Sequence, residues 1–100
     1  MEKGIDNYLD ENGRIRQWPS KMMMKNKVLE YLLSKFEDDV YYTEAQVNET
    51  LKEWHTFNDY FILRRGLIDA GYLKRHLDGS QYWKNKEIQL MEESQPSDEN

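Results

Sequence analysis

The chain has 100 residues, 38% apolar and 33% charged, with a formal net charge of −5. That length fits one domain, and the absence of cysteine excludes disulfides and thiolate metal sites. No stretch is apolar for long enough to cross a bilayer, and the opening MEKGIDNYLDENG lacks the apolar run of a signal peptide, so a cytoplasmic protein with no membrane partner is expected.

Residues 8–18, YLDENGRIRQW, centre on Asn12-Gly13, a pair that tolerates the positive φ angles of a type I′ turn. The spacing predicts an N-terminal β-hairpin that sets Glu11 opposite Arg14. Pro19 then holds Trp18 extended. Ser20 is placed to cap the first long helix. Val28, Leu29, Leu32, Leu33 and Phe36 share one arc of that helix, with Met24 and Tyr31 flanking it and Glu30, Ser34 and Asn26 opposite. Met22-Met23-Met24 reads as a pliable edge of the core, or else as a partner groove.

Glu37-Asp38-Asp39 ends the first helix, and Val40-Tyr41-Tyr42 is long enough for one small strand. Thr43-Glu44-Ala45-Gln46 matches a capping box opening a second helix, with Val47, Leu51 and Trp54 at i, i+4 and i+7. His55 to Asn58 form the turn into a third helix, with Asn58 as its cap. Tyr60, Leu63, Leu67 and Ala70 make one apolar arc there, and Phe61 and Ile68 another; Arg64 falls between them, and Arg65, Asp69 and Ile62 lie on the far side. Gly71 is a suitable stop, because it accepts left-handed dihedrals. Asp78-Gly79 predicts a second hairpin. It places Leu73, Arg75, Leu77 and Tyr82 on one face and Lys74, His76 and Trp83 on the other. The last fourteen residues, 87–100, carry five acids and no base, the composition of a disordered end. The expected organisation is one domain over 1–86 with an acidic tail over 87–100.

A third helix, a glycine stop and a two-stranded ribbon are how a winged helix-turn-helix ends. The predicted fold is therefore α+β and winged-helix-like: three main helices, a C-terminal two-stranded wing and an N-terminal β-hairpin. Charge is segregated along it. Residues 14–27 carry five bases and no acid, residues 37–53 carry six acids against Lys52, and residues 57–86 carry six bases against three acids. Local fields of this kind matter more than the sum.

The blocks YLDENGRIRQWPSK, TEAQVNETL and LRRGLIDAGYLKR…DGSQYW resemble, in order and spacing, a bacterial domain-of-unknown-function family, number 2087. The resemblance runs from about Tyr8 to Trp83. It is carried by Trp18-Pro19-Ser20, Leu63-Arg64-Arg65 and Asp78 to Trp83. It implies a small winged-helix-like domain. Members occur alone or attached to ArsR-type regulators, which implies transcriptional regulation, or a sensing or coupling role where a separate DNA-binding domain is present. The resemblance supplies no established catalytic or ligand residues.

Arg65 and Ile62 are the candidates to enter a major groove, since arginine can contact guanine or phosphate with two hydrogen bonds. Lys74, Arg75, Lys84 and Lys86 would meet phosphate, giving affinity without sequence choice. The bland reading makes these solvated faces and a charge-protected edge strand. Arg64, Trp18, Trp54, Leu67, Leu73 and Tyr82 are expected to be structural, with Arg64 spanning the core edge to a carboxylate on another element. Trp83 either stacks a base or packs beside Lys74. His55 and His76 are the only histidines and do not make a metal set. No nucleophile elbow or phosphate loop is present, so neither an enzyme nor a cofactor is expected. Two functions from different classes remain open. One is a regulatory module on double-stranded DNA, dimeric to gain a second half-site. The other is a non-catalytic protein-interaction or coupling module on the same fold, which the acidic second helix and tail favour.

Overall fold

The computed structural model of the chain describes residues 4–86. The acidic tail expected over 87–100 lies outside the described residues. A short 3-10 turn at Asp6–Tyr8 precedes three helices, α1 (Met22–Leu33), α2 (Glu44–Glu53) and α3 (Tyr60–Asp69), and then two antiparallel strands, β1 (Leu73–Arg75) and β2 (Tyr82–Lys84).

The helices follow the apolar arcs. Val28, Leu29, Leu32 and Leu33 of α1, Val47 and Leu51 of α2, and Leu63 and Leu67 of α3 meet in one core, closed below by Ile15, Phe36, Tyr72, Leu73 and Tyr82. Phe36 belongs to this core, although α1 ends at Leu33. Gly66 allows α3 to approach α1: a Cβ there would meet Leu29 at 3.3 Å and Trp18 at 3.5 Å.

The caps divide. The Thr43 capping box forms, with the Gln46 N–H donating to Thr43 Oγ1 at 3.1 Å and the Thr43 N–H donating to Gln46 Oε1 at 2.8 Å. Ser20 does not cap α1; Lys21 holds that position without a side-chain bond. Asn58 is not the cap of α3 either. It takes a positive φ of 56°, which asparagine tolerates, and so delivers Asp59, whose carboxylate accepts the Ile62 N–H at 3.2 Å.

The N-terminal hairpin is not seen. Leu9 and Ile15 make one isolated antiparallel bridge, and neither flank extends into a strand. Of the Asn12-Gly13 pair only Gly13 has a positive φ, so the type I′ turn, which needs two such residues, does not form. Asp10 wins instead. Its Oδ1 accepts the N–H groups of Asn12 and Arg14, each at 2.9 Å, and the Gly13 N–H closes a tight turn on the Asp10 carbonyl at 3.0 Å. Arg14 therefore does not pair with Glu11. Its guanidinium donates to the carbonyls of Glu53 and His55, both at 2.9 Å, and caps the C-terminal end of α2. Ile15 joins the same turn through its bridge to His55.

The Val40–Tyr42 run shrinks to a single bridge between Tyr42 and Tyr82, with N–H···O distances of 2.8 and 2.7 Å, so it is no strand of its own but lies beside β2. The C-terminal hairpin takes the expected register, Leu73 opposite Lys84, Lys74 opposite Trp83 and Arg75 opposite Tyr82. Leu77 leaves the strand face to which its spacing assigned it and stands fully exposed in the turn. Met22 and Met23 also stand exposed, not at the core edge. No helix among the described residues is long and apolar enough to cross a membrane.

Candidate functional site

Strand alternation decides what the hairpin can present. Arg75 shares a face with Tyr82, and Lys74 shares the opposite face with Trp83. The two exposed cations of β1 therefore open onto different sides of the ribbon.

On the Arg75 side, α3, the hairpin and the start of α2 enclose an open groove of about 520 Å³ lined by Phe61, Arg64, Arg65, Ile68, Arg75 and Tyr82 and by two acids, Glu44 and Asp69. The Tyr82 hydroxyl donates to Glu44 Oε1 at 3.0 Å. Burial, then this bond, raises the Tyr82 hydroxyl above its ordinary pKa, so it stays a donor. Arg64 is largely covered. It donates to Asn48 Oδ1, lies 3.7 Å from Glu44 Oε2, and sits over the Phe61 and Tyr60 rings at 5.3 and 5.9 Å. These contacts tie α3 to the start of α2. Among the described residues Arg65 pairs with Asp69 on its own helix, at 3.6 Å, and both side chains remain 66% exposed. Such exposed pairs contribute little and open readily. Phe61 is 53% exposed at the rim. Ile62 is half-buried and packs against the core instead of standing free beside Arg65.

The remaining lysines, Lys84 and Lys86, are consumed at the α1–α2 turn. Lys84 turns inward, 9% exposed, with its ammonium 3.1 Å from Asp38 and donating to the Phe36 carbonyl at 3.3 Å. Lys86 donates to Asp39 at 2.9 Å, and that bond holds its pKa above the ordinary lysine value. Trp83 is flanked by the rings of Tyr41 at 5.4 Å and His76 at 5.2 Å. Of the six candidate contact residues, the structure brings Arg65 and Arg75 to one groove, leaves Lys74 exposed on the other face, and holds Lys84 and Lys86 against the α1–α2 turn.

Three of the residues expected to be structural occupy other parts of the frame. Trp18 packs near Gly66 under the Lys25 ammonium, and Trp54 lies edge-on to Tyr31 beneath Lys35. Leu67 is fully buried. Sequence reasoning missed His55. It is buried, its Nδ1 bonds the Leu51 carbonyl, and its Nε2 accepts the Asp59 N–H at 2.8 Å. These partners require the neutral ring with its proton on Nδ1. The only signal was the four-residue spacing on either side, Leu51 to His55 to Asp59. The anchoring of Lys84 and Lys86 had a signal too, the acidic block Glu37-Asp38-Asp39.

A family profile described as an uncharacterized protein conserved in bacteria, DUF2087, matches residues 14–84. No curated protein and no solved structure matches the chain.

Proposed function

The chain belongs to DUF2087, and on that footing we propose that it is a non-catalytic protein-docking module on a winged helix-turn-helix-like scaffold. The scaffold reading is supported by the order helix, bridging residue, helix, helix, hairpin, and by Tyr42 pairing with the second strand of that hairpin. The docking face is the groove between α3 and β1.

One observation carries the choice of protein over duplex DNA: the cations of α3 and the hairpin do not merge into a stripe. Asp38 and Asp39 hold Lys84 and Lys86, and Lys74 faces away from Arg65 and Arg75. A duplex needs several phosphate contacts in register to gain affinity. A groove with two accessible guanidiniums, a half-exposed Phe61 and the half-buried Ile68 suits instead a short segment pairing acidic with apolar side chains.

The test is a fluorescence-anisotropy titration of the full chain at low salt against two probes, a labelled peptide alternating aspartate with phenylalanine and a labelled DNA duplex. The expected result is saturable peptide binding, weakened about tenfold or more by Arg65→Glu with Arg75→Glu, and no saturable duplex binding. Micromolar duplex binding with a steep salt dependence, lost on Arg65→Ala with Lys74→Ala, would overturn the docking reading in favour of a DNA-binding regulator.

A further inference from the structure

We propose that the groove between α3 and β1 is occupied in cis by the chain's own C-terminal segment, residues 87–100, which an external partner must displace. The inference rests on the docking reading and names the groove's resident ligand.

Charge comes first. Residues 4–86 hold thirteen bases and thirteen acids, and Glu2 and Lys3 cancel, so the whole net charge of −5 lies in residues 87–100. Its carriers are Glu87, Glu92, Glu93, Asp98 and Glu99, with no base among them. The groove lining carries three arginines against two acids, Glu44 and Asp69, and within the described body the alternatives open to its exposed guanidiniums are an i,i+4 pair for Arg65 and solvent contact for Arg75. Side-chain chemistry matches as well. Ile88, Leu90 and Met91 immediately precede Glu92-Glu93, so apolar groups and carboxylates are adjacent in the segment as Phe61 and Ile68 are adjacent to Arg65 and Arg75 in the groove.

Reach decides whether the match can be used. The segment leaves the body at Lys86, four residues beyond Tyr82, which lines the groove. Those four residues span roughly 13 Å if extended, whereas fourteen residues reach up to roughly 46 Å. Doubling back over the hairpin therefore leaves chain to spare. Tethering over such a distance gives an effective concentration on the order of millimolar. At that concentration an intrinsic dissociation constant of about 1 mM gives half occupancy, which exposed charge pairs reach only together with the apolar contacts.

Because the chain has no cysteine, Ser94→Cys accepts a single nitroxide, and its effect on backbone amides can be read in the isotope-labelled full chain. Low-salt spectra should show broadening at Phe61, Arg65, Ile68 and Arg75. It should vanish at about 1 M salt, where the screening length falls to about 3 Å. Arg65→Glu with Arg75→Glu should abolish it, and adding Glu92→Lys with Glu93→Lys in the same chain should restore it. The amide spectrum of each variant reports directly whether it is folded; should the arginine variant unfold, replacing all five tail acids by their amides in the parent chain must abolish the broadening instead. Broadening confined to residues near Lys86, or indifferent to salt and to these substitutions, overturns the proposal. Equal broadening when the nitroxide and the isotope are on different molecules also overturns it, making the occupant the tail of a second copy. Sharp groove amides together with saturable binding of the aspartate-phenylalanine peptide would sink tail docking while keeping the docking reading; sharp amides with no peptide binding would remove both.

Discussion

At the scale of single residues, the side chains that matter most to the frame are polar. Tyr82 is 3% exposed and holds Glu44 in the lining of the groove. A phenol whose folded pKa is raised contributes stability that is complete below its unfolded value near 10 and declines as pH rises through it toward the folded value. Tyr82→Phe should therefore cost about 1 kcal/mol at neutral pH and make the loss of stability above pH 10 shallower, measured as urea midpoints across an alkaline series. An alkaline limb as steep as the parent's would exclude Tyr82 as its source. His55 is the stronger case, because both ring nitrogens are used inside the protein. Replacing it by leucine fills the volume but orphans the Asp59 N–H and leaves the Leu51 carbonyl with only the Trp54 N–H, for a loss of roughly 2 kcal/mol. A change below about 1 kcal/mol in urea unfolding would mean that water reaches those groups.

Elements were legible in the sequence where one local signal had no competitor. The capping box of α2 and the hairpin after Gly71 are fixed by adjacent residues, and both form. Turns and caps with a rival nearby were not legible. Asn12-Gly13 lost its hairpin to the Asp10 carboxylate, and Asn58 lost the cap to Asp59. Both outcomes depend on which of two neighbouring polar groups reaches an N–H first, and periodicity does not encode that. Gly66 tests the packing of α1 on α3. Alanine there gains about 1 kcal/mol of helix propensity and presses its Cβ to 3.3 Å from Leu29, a flexible methyl that can give way. Gly66→Ala should therefore be near neutral in thermal unfolding. Gly66→Leu must displace Trp18 as well and should cost about 2 kcal/mol. Equal effects from the two variants would refute a contact limited by size.

For the whole molecule, the sequence showed where charge lies along the chain but not which charges survive folding. Residues 57–86 look basic when read in line. Folding then sets Asp38 and Asp39 against Lys84 and Lys86, and Glu44 against Arg64, through contacts between segments more than ten positions apart. The basic residues thus divide into two kinds. Arg64 and Lys84, with side chains 15% and 9% exposed, bridge elements. Arg65, Lys74 and Arg75 face solvent. The division predicts two separable phenotypes. Arg64→Ala takes the Asn48 hydrogen bond and leaves Glu44 with only the Tyr82 hydroxyl, Lys84→Ala takes the ion pair of Asp38, and both remove packed methylenes, so each should lower stability by roughly 1–2 kcal/mol. Arg65→Ala, Lys74→Ala and Arg75→Ala break only exposed interactions and should stay within about 0.5 kcal/mol of the parent. Among those three, loss of peptide binding should follow Arg65 and Arg75 but not Lys74, because only the first two share a face. Urea denaturation and the anisotropy titration, run on the same five variants, measure both axes. If Lys74→Ala weakened binding as much as Arg75→Ala, the ligand would have to wrap both sides of the hairpin, and a one-sided groove would no longer describe the site.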